Sequence, residues 1–278
     1  MNEGTPSRTA LGVALRRAAH QILDRPPVFL DPLATRIAGE KPTNQPEPHD
    51  AARGLRAFVA VRSRYAEDEL AHSVSLGLRQ YVVLGAGLDT FAYRNPFAPS
   101  LQVFEVDHPD TQLWKKDRLH SAGIDIPPSV TFVPVNFESQ SLRTELHAAP
   151  SFDPFQPAFF SMLGVAPYLS REALLTTLGF VASMPPASTI VFDYAVPPET
   201  LDTADRQRFQ FLASRVARIG ESFRLFFEPQ TLAGLLTSAG FKRFEDLGAP
   251  EINSRYFANR PDGLCVASAL GRLLSATS

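Results

Sequence analysis

Cysteine is almost missing from this sequence, with Cys265 the single one in 278 residues. One thiol cannot build an internal disulfide framework or a cysteine-based zinc site. Charge of one sign is not in excess either: 27 Lys and Arg stand against 29 Asp and Glu, for a net charge of -2. That balance leaves no electrostatic footprint for nucleic acid or for an anionic membrane surface. No apolar run approaches the roughly 20 residues that cross a bilayer. The first residues lack the hydrophobic centre of a signal peptide, so the cytoplasm is the expected location and no membrane is an expected partner. His20, His49, His72, His108, His120 and His147 show no metal-ligand spacing, and no metal is assigned. Internal repeats, a G-x-x-x-x-G-K-[S/T] phosphate loop and a His–Asp or Ser–His constellation are absent as well. Nothing in the sequence indicates an oligomeric state.

What is present fits an ordinary globular α/β chain, 44% hydrophobic and 20% charged. Its organising stretch is Tyr81-Val82-Val83-Leu84-Gly85-Ala86-Gly87-Leu88-Asp89-Thr90. An apolar, β-branched run reads as a buried strand, and it stops on two glycines spaced by one residue. Such a turn lets a ligand press against bare backbone N–H groups. A lone G-x-G is common, and an ordinary strand-to-helix turn would look the same. A second strand, Leu101 to Asp107, adds weight, because Asp107 lies 20 residues past Gly87. In a right-handed βαβ unit that spacing puts a carboxylate at the end of the neighbouring strand, where it can accept both hydroxyls of an adenosine ribose. The alternative is a solvated carboxylate or a cap for the helix around Trp114. Thr90 stands where a dinucleotide fingerprint wants a third glycine, which weakens NAD or FAD. S-Adenosylmethionine, with no pyrophosphate to cradle, tolerates this shorter loop.

The remaining elements follow from periodicity and caps. Thr5 to Leu23 is predicted helical, Asp31-Pro32-Leu33-Ala34 opens a short helix, and the proline-rich Lys41 to Pro48 is a loop. Asp50 starts a long helix to about Ser75, with Arg62-Ser63-Arg64-Tyr65 at its middle. The apolar stripe is too loose to choose which arginine faces inward. Ser129 to Val135 is a third strand, ending at Asn136-Phe137. Asn136 can accept from an adenine amino group, or simply form the turn. Pro157 to Val165 is a fourth strand, followed by Pro167-Tyr168-Leu169 and a helix from Arg171 to Ser183 capped by Ser170. Ser188 to Val196 is the fifth strand, and Thr200 to Ile219 an amphipathic helix that can serve as a lid. A helix from Pro229 to Gly240 precedes two closing strands, Lys242 to Leu247 and Gly263 to Leu270. Cys265 reads as a small core residue of the last one. Glu251 to Phe257 reads as a loop of recognition-type side chains. The sum is a mixed seven-stranded sheet, with the ligand expected where the first and fourth strands part.

Leu84-Gly85-Ala86-Gly87-Leu88-Asp89-Thr90 and Phe104-Glu105-Val106-Asp107-His108-Pro109 are the most specific pieces of a resemblance that runs from Arg16 to the last strand. On them the sequence resembles the leucine carboxyl methyltransferase family of class I S-adenosylmethionine-dependent methyltransferases. The resemblance implies one domain over 1–278: a helical cap (1–78) on a seven-stranded, mostly parallel Rossmann-like core (79–278) with a lid helix at about 199–220. It implies that Gly85 and Gly87 line the methionine moiety, with Ala86 and Asp89 of the same turn also at the cofactor. Asp107 would hold the ribose, and Asn136 with Phe137 the adenine. Arg64 would pair with the cofactor carboxylate, helped by Arg16, with Arg62 as the substitute if the register slips. Leu163, followed by Gly164, occupies the position where the family usually carries a glutamate for the cofactor ammonium. Losing that charge-assisted bond is worth roughly 1.5–3 kcal/mol unless backbone carbonyls around Gly85 compensate.

Methyl transfer from a sulfonium is an in-line displacement that asks the protein mainly for alignment, so no catalytic acid or base is assigned. Tyr168, Tyr194, Arg255 and Tyr256 are the polar groups expected nearest the acceptor, Arg255 being suited to a carboxylate or, alternatively, to a surface ion pair. The expected activity is O-methylation of a small-molecule carboxylate or hydroxyl, as in natural-product pathways. Two rivals remain at this point: a scaffold that binds the cofactor without methyl transfer, and a nicotinamide-dependent dehydrogenase.

Overall fold

β1, Gln80–Leu84, is buried along its whole length, as an unbroken apolar run in a central parallel strand must be. The computed structural model describes residues 8–39, 50–218 and 220–278. Around β1 the sheet adds β2 (Gln102–Asp107), β3 (Val130–Pro134), β4 (Phe159–Met162), β5 (Thr189–Ala195), β6 (Arg243–Leu247) and β7 (Gly271–Thr277). Their order is β3-β2-β1-β4-β5-β7-β6. The first five are parallel, and β7 runs antiparallel to both β5 and β6. The order reverses between β1 and β4, which opens a crevice at their carboxyl ends.

The helices are α1 (Arg8–Leu23), α2 (Ala34–Ala38), α3 (Asp50–Ser75), α4 (Pro109–Ser121), α5 (Leu142–Ala148), α6 (Arg171–Ala182), α7 (Thr203–Ala217), α8 (Pro229–Ala239) and α9 (Ala249–Tyr256). None of the described helices is long and apolar enough to cross a membrane. Alternate strand residues feed two layers. Val82, Phe104, Phe160 and Phe192 pack with Leu146 of α5, Leu178 of α6 and Leu232 of α8. Val83, Val103, Phe159 and Val191 pack with Val61, Tyr65 and Leu70 of α3. The long helix is therefore a layer of the core. Ala14 of α1 and Ile37 of α2 instead cover Leu88 and Leu119 beside the glycine turn.

Ser170 caps α6 as expected, accepting from the Ala173 N–H at 3.2 Å, and Gly240 closes α8 in the left-handed conformation. The stretch 41–48, expected as a loop, lies outside the described residues.

Two expectations near the carboxyl terminus are corrected. The last strand begins at Gly271, not Gly263. Residues 263–270 pair with no strand because the Asn253 side chain takes both backbone groups of Val266, donating to its carbonyl at 2.9 Å and accepting its N–H at 2.8 Å. Leu264 and Val266 turn inward while Cys265 between them is exposed, so it is not a core residue. The stretch 251–257 is not a loop but mostly helix α9, opened by Pro250 and by the Glu251 carboxylate accepting the Gly248 N–H at 2.9 Å.

Candidate active site

The crevice at the β1/β4 reversal is a cavity of about 490 Å³, within the size range of small-molecule sites. Its floor is the turn Gly85-Ala86-Gly87 after β1 and the segment Leu163-Gly164-Val165 after β4. Gly85 sits at φ +67°, and a Cβ there would lie 2.3 Å from Val165 Cγ2. Only glycine fits both the left-handed backbone and that approach.

Asp107 ends β2 at the cavity wall. Its Oδ2 accepts the Gly87 N–H at 2.6 Å and its Oδ1 the His108 N–H at 2.7 Å. Burial raises its pKa, an effect those two N–H groups and the positive charge of Lys115 only partly oppose. Asp89, on the same turn, behaves the other way. Burial alone would push it up, but Arg17, Arg94, Lys115 and the Phe91 N–H hold it below the usual carboxylate range.

Past β3, Asn136 and Phe137 both line the cavity. The Asn136 side-chain oxygen accepts the Glu138 N–H at 3.1 Å and its carbonyl accepts from Ser139 and Gln140, so it does form the turn. That oxygen retains a second lone pair. The Phe137 N–H has no hydrogen-bond partner among the described residues.

Of the two central arginines of α3, Arg62 reaches the cavity and Arg64 does not. Arg62 is buried, with Nη1 3.1 Å from Asp193 Oδ2. Arg64 points outward from the opposite side of the helix and pairs with Asp68 at 2.8 Å, half exposed. Arg64, expected at the cavity, is thus not there, and Arg62 is. Two residues along a helix are about 200° apart, so both cannot face inward. Arg16 of α1 is not part of the cavity wall and donates to the Gly12 carbonyl at 3.0 Å. Its neighbour Arg17 lines the wall instead, donating to the Leu88 carbonyl at 2.6 Å and to Asp31 at 2.9 Å.

The four residues expected at the acceptor separate. Tyr168 lines the cavity, and its hydroxyl has no hydrogen-bond partner among the described residues. Burial first, then the Glu221 charge, raises its pKa. Its ring packs against Phe223, which continues into Phe209 and Phe226. Tyr194 points to the far side of β5 and donates to Asp246 at 2.6 Å. Arg255 lies on the outer face of α9, paired with Glu245 at 2.9 Å, and Tyr256 donates to Asp68 at 3.3 Å. None of these last three touches the cavity.

The lid also differs from expectation. No residue of α7 lines the cavity; the segment after it does, through Gly220, Glu221, Ser222 and Arg224. That segment is tied down at both ends. Thr9 Oγ1, also of the cavity wall, donates to Glu221 at 2.5 Å, and the N–H groups of Arg224 and Leu225 donate to the Pro167 carbonyl. Sequence reasoning missed Arg17, Thr9 and Glu221, which carry no motif and meet only through tertiary contact. Among the described residues there is no cluster of His, Cys, Asp and Glu able to hold a metal.

A family model described as leucine carboxyl methyltransferase matches residues 10–182. YktD of Bacillus subtilis, named as an S-adenosyl-L-methionine-dependent methyltransferase, is 36% identical over 301 residues, covering 95% of each chain. A Mycolicibacterium paratuberculosis protein with the same type of name is 29% identical over 291 residues, covering 95% of this chain and 94% of its own. A crystal structure of a Bordetella parapertussis protein is similar at a TM-score of 0.55 and 12% identity, covering 97% of this chain and 96% of that one, a likeness of fold alone.

Proposed function

The chain belongs to the leucine carboxyl methyltransferase family and is an S-adenosylmethionine-dependent methyltransferase; on that premise we propose that it methylates an oxygen of a small molecule in the β1/β4 cavity. The observation that carries this reading is the Asp107 carboxylate at the end of β2, beside the glycine turn that lines the cavity and bonded to its Gly87 N–H. The cavity residues fit an adenosyl amino acid. Asp107 takes the ribose hydroxyls, the unpartnered Phe137 N–H and the free lone pair of Asn136 take the adenine edge, and Arg62 takes the carboxylate. Ala86 and Gly87 allow close approach of the sulfur end. With Leu163 at the end of β4, backbone carbonyls near Gly85 take the ammonium.

When bound, S-adenosylmethionine supplies a methyl carbon activated by its sulfonium charge. The chain's task is then to hold an acceptor oxygen in line with that carbon and keep water out. Tyr168 is suited to orient the acceptor, since its hydroxyl is unpartnered and its ring is fixed by Phe223. A carboxylate acceptor needs no base; for a hydroxyl, Glu221 is the cavity carboxylate whose charge acts on Tyr168. The Thr9–Glu221 bond ties two segments of the cavity wall together, which favours a small acceptor over the tail of a folded protein.

The test is to incubate the protein with methyl-labelled S-adenosylmethionine and a panel of small carboxylic acids, phenols and alcohols. Label is expected in an ester or ether of the panel. Label found only on nitrogen, or only on a protein substrate, would refute the oxygen and small-molecule parts of the proposal.

A further inference from the structure

The two sides of the cavity come from different parts of the sheet. Asp107, Asn136 and Phe137 follow β2 and β3, on the nucleoside side of β1. The opposite wall is built over β4 and β5. Tyr168 and Leu169 follow β4, and the segment 220–227 is fastened above both strands. Arg224 and Leu225 donate to the Pro167 carbonyl, and the Phe227 N–H donates at 3.0 Å to the carbonyl of Ala195, the last residue of β5. With the nucleoside on the first side, the methyl acceptor rests against the second.

On that second wall Glu221, Ser222 and Arg224 stand around a single aromatic surface, the ring of Tyr168. Phe223 holds this ring at a centroid distance of 5.2 Å with the planes 33° apart. Phe223 in turn meets Phe209 of α7 at 5.6 Å and Phe226 at 6.3 Å, and Phe209 meets Phe226 at 5.7 Å. All these separations fall in the range of favourable ring pairs. The three phenylalanines do not line the cavity; they fix the one ring that does. All four rings are half-buried. A saturated guest on such a wall would strip water from Glu221, Ser222 and Arg224 and give them nothing in return. An aromatic guest has negative faces and a positive edge. One face can stack on Tyr168, the other can take the Arg224 cation, and the edge can meet the Glu221 carboxylate.

We infer that the acceptor is an aromatic compound, its methylated oxygen carried on or close to a flat ring that stacks on Tyr168. The inference deepens the proposed function and rests on it. Tyr168 then selects the acceptor by its ring as well as orienting it by its hydroxyl. Phe223 is a positioning residue, acting through the ring of Tyr168.

The experiment is calorimetric titration of the intact protein, saturated with S-adenosylhomocysteine, with matched pairs of ligands. The pairs are benzoate and cyclohexanecarboxylate, phenylacetate and cyclohexylacetate, and phenol and cyclohexanol. Within a pair the polar group and the charge at neutral pH are the same. The saturated ring carries more C–H surface, so burial alone would favour it. The flat member of each pair that binds is expected to bind roughly 3- to 10-fold more tightly, the value of a ring–ring contact. Phe223→Leu should bring that ratio to within about twofold while the affinity for S-adenosylhomocysteine holds, a split that a merely structural role would not produce. Tyr168→Leu should abolish the preference and Tyr168→Phe should keep it, a comparison that serves if the Phe223 variant does not fold. Equal affinities within the pairs, or tighter binding of the saturated members, would overturn the inference and leave O-methylation standing. Failure of every pair to bind the S-adenosylhomocysteine complex would overturn the small-molecule reading and the inference with it.

Discussion

Replacing Gly85 by alanine perturbs the site at one methyl group, and two separable costs follow from its geometry. The residue sits at φ +67°, where an L side chain costs about 1–2 kcal/mol. The new Cβ would also stand 2.3 Å from Val165 Cγ2 and 3.3 Å from Cγ1, an overlap of the kind that costs about 1–3 kcal/mol in a packed site. Gly85→Ala should therefore destabilise by about 2–5 kcal/mol in urea-unfolding experiments. Val165→Ala removes both clashing methyls, and by itself should cost about 1–2 kcal/mol for two partly buried groups. In the double variant the overlap vanishes and only backbone strain and lost burial remain. The two changes should thus couple favourably by about 1–3 kcal/mol in a double-mutant cycle. Additive changes would refute the steric reasoning, and a Gly85→Ala variant within 0.5 kcal/mol or so of the parent would refute the strain argument too. Affinity for S-adenosylhomocysteine should not recover in the double variant, because the methyl still intrudes on a cavity-lining position.

Asp107→Ala should lower the affinity for S-adenosylhomocysteine by roughly two to four orders of magnitude, two charge-assisted hydrogen bonds at about 1.5–3 kcal/mol each, read by calorimetry. Because burial raises the Asp107 pKa and binding needs its ionised form, affinity in the parent should fall with acid earlier than an ordinary carboxylate would dictate. Asp24, buried beside His20 and bidentate to Arg56, has its pKa lowered from 3.8 to about 2, His20 and Arg56 outweighing the larger opposing effect of burial. A depressed folded-state pKa means stability present above about pH 4 and lost as pH falls toward 2, on the order of 2 kcal/mol; Asp24→Asn should flatten that part of a urea-stability profile against pH. Arg64→Ala and Arg255→Ala, at half-exposed surface pairs, should each change stability by under about 1 kcal/mol and leave S-adenosylhomocysteine affinity unaltered, whereas Arg62→Ala should weaken it.

Local signals carried most of the sheet into view. Buried parallel strands such as Tyr81–Leu84 and Phe159–Met162 are continuous apolar runs, and the glycine turn and Asp107 sit at fixed offsets from them. Helix caps such as Ser170 and Gly240 are local for the same reason. The failures came where a distant partner decided the outcome. Leu264-Cys265-Val266 alternates like a strand, but Asn253 on α9 takes both backbone groups of Val266, and the strand starts only at Gly271. Tyr194, Arg255 and Tyr256 carry recognition chemistry by type, but Asp246, Glu245 and Asp68 occupy them away from the cavity. The choice between Arg62 and Arg64 turned on Asp193, 131 positions away in the chain. Periodicity along one helix contains no information about such a partner.

Thr90 shows how a departure from a motif can be explained by the same kind of distant contact. It replaces the third glycine of a dinucleotide fingerprint, a position that normally brings helix and strand together. Here the residue is fully buried, and its hydroxyl donates to Asp31 at 2.6 Å. Asp31 also accepts from Arg17, which reaches the Leu88 carbonyl, and Arg94 donates to Thr90 while pairing with Glu67 of α3. The loop is followed by a short 3-10 turn, Phe91–Tyr93, not by a long helix, so no close helix–strand packing is required of it. What the position supplies instead is a hydroxyl that binds α1, the 24–33 segment and α3 to the glycine turn. A glycine at 90 would leave the Asp31 carboxylate short of one donor in a buried network, which costs more than the packing freedom it would provide. The threonine that argues against a dinucleotide is therefore the residue by which the amino-terminal helices hold the cavity floor in place.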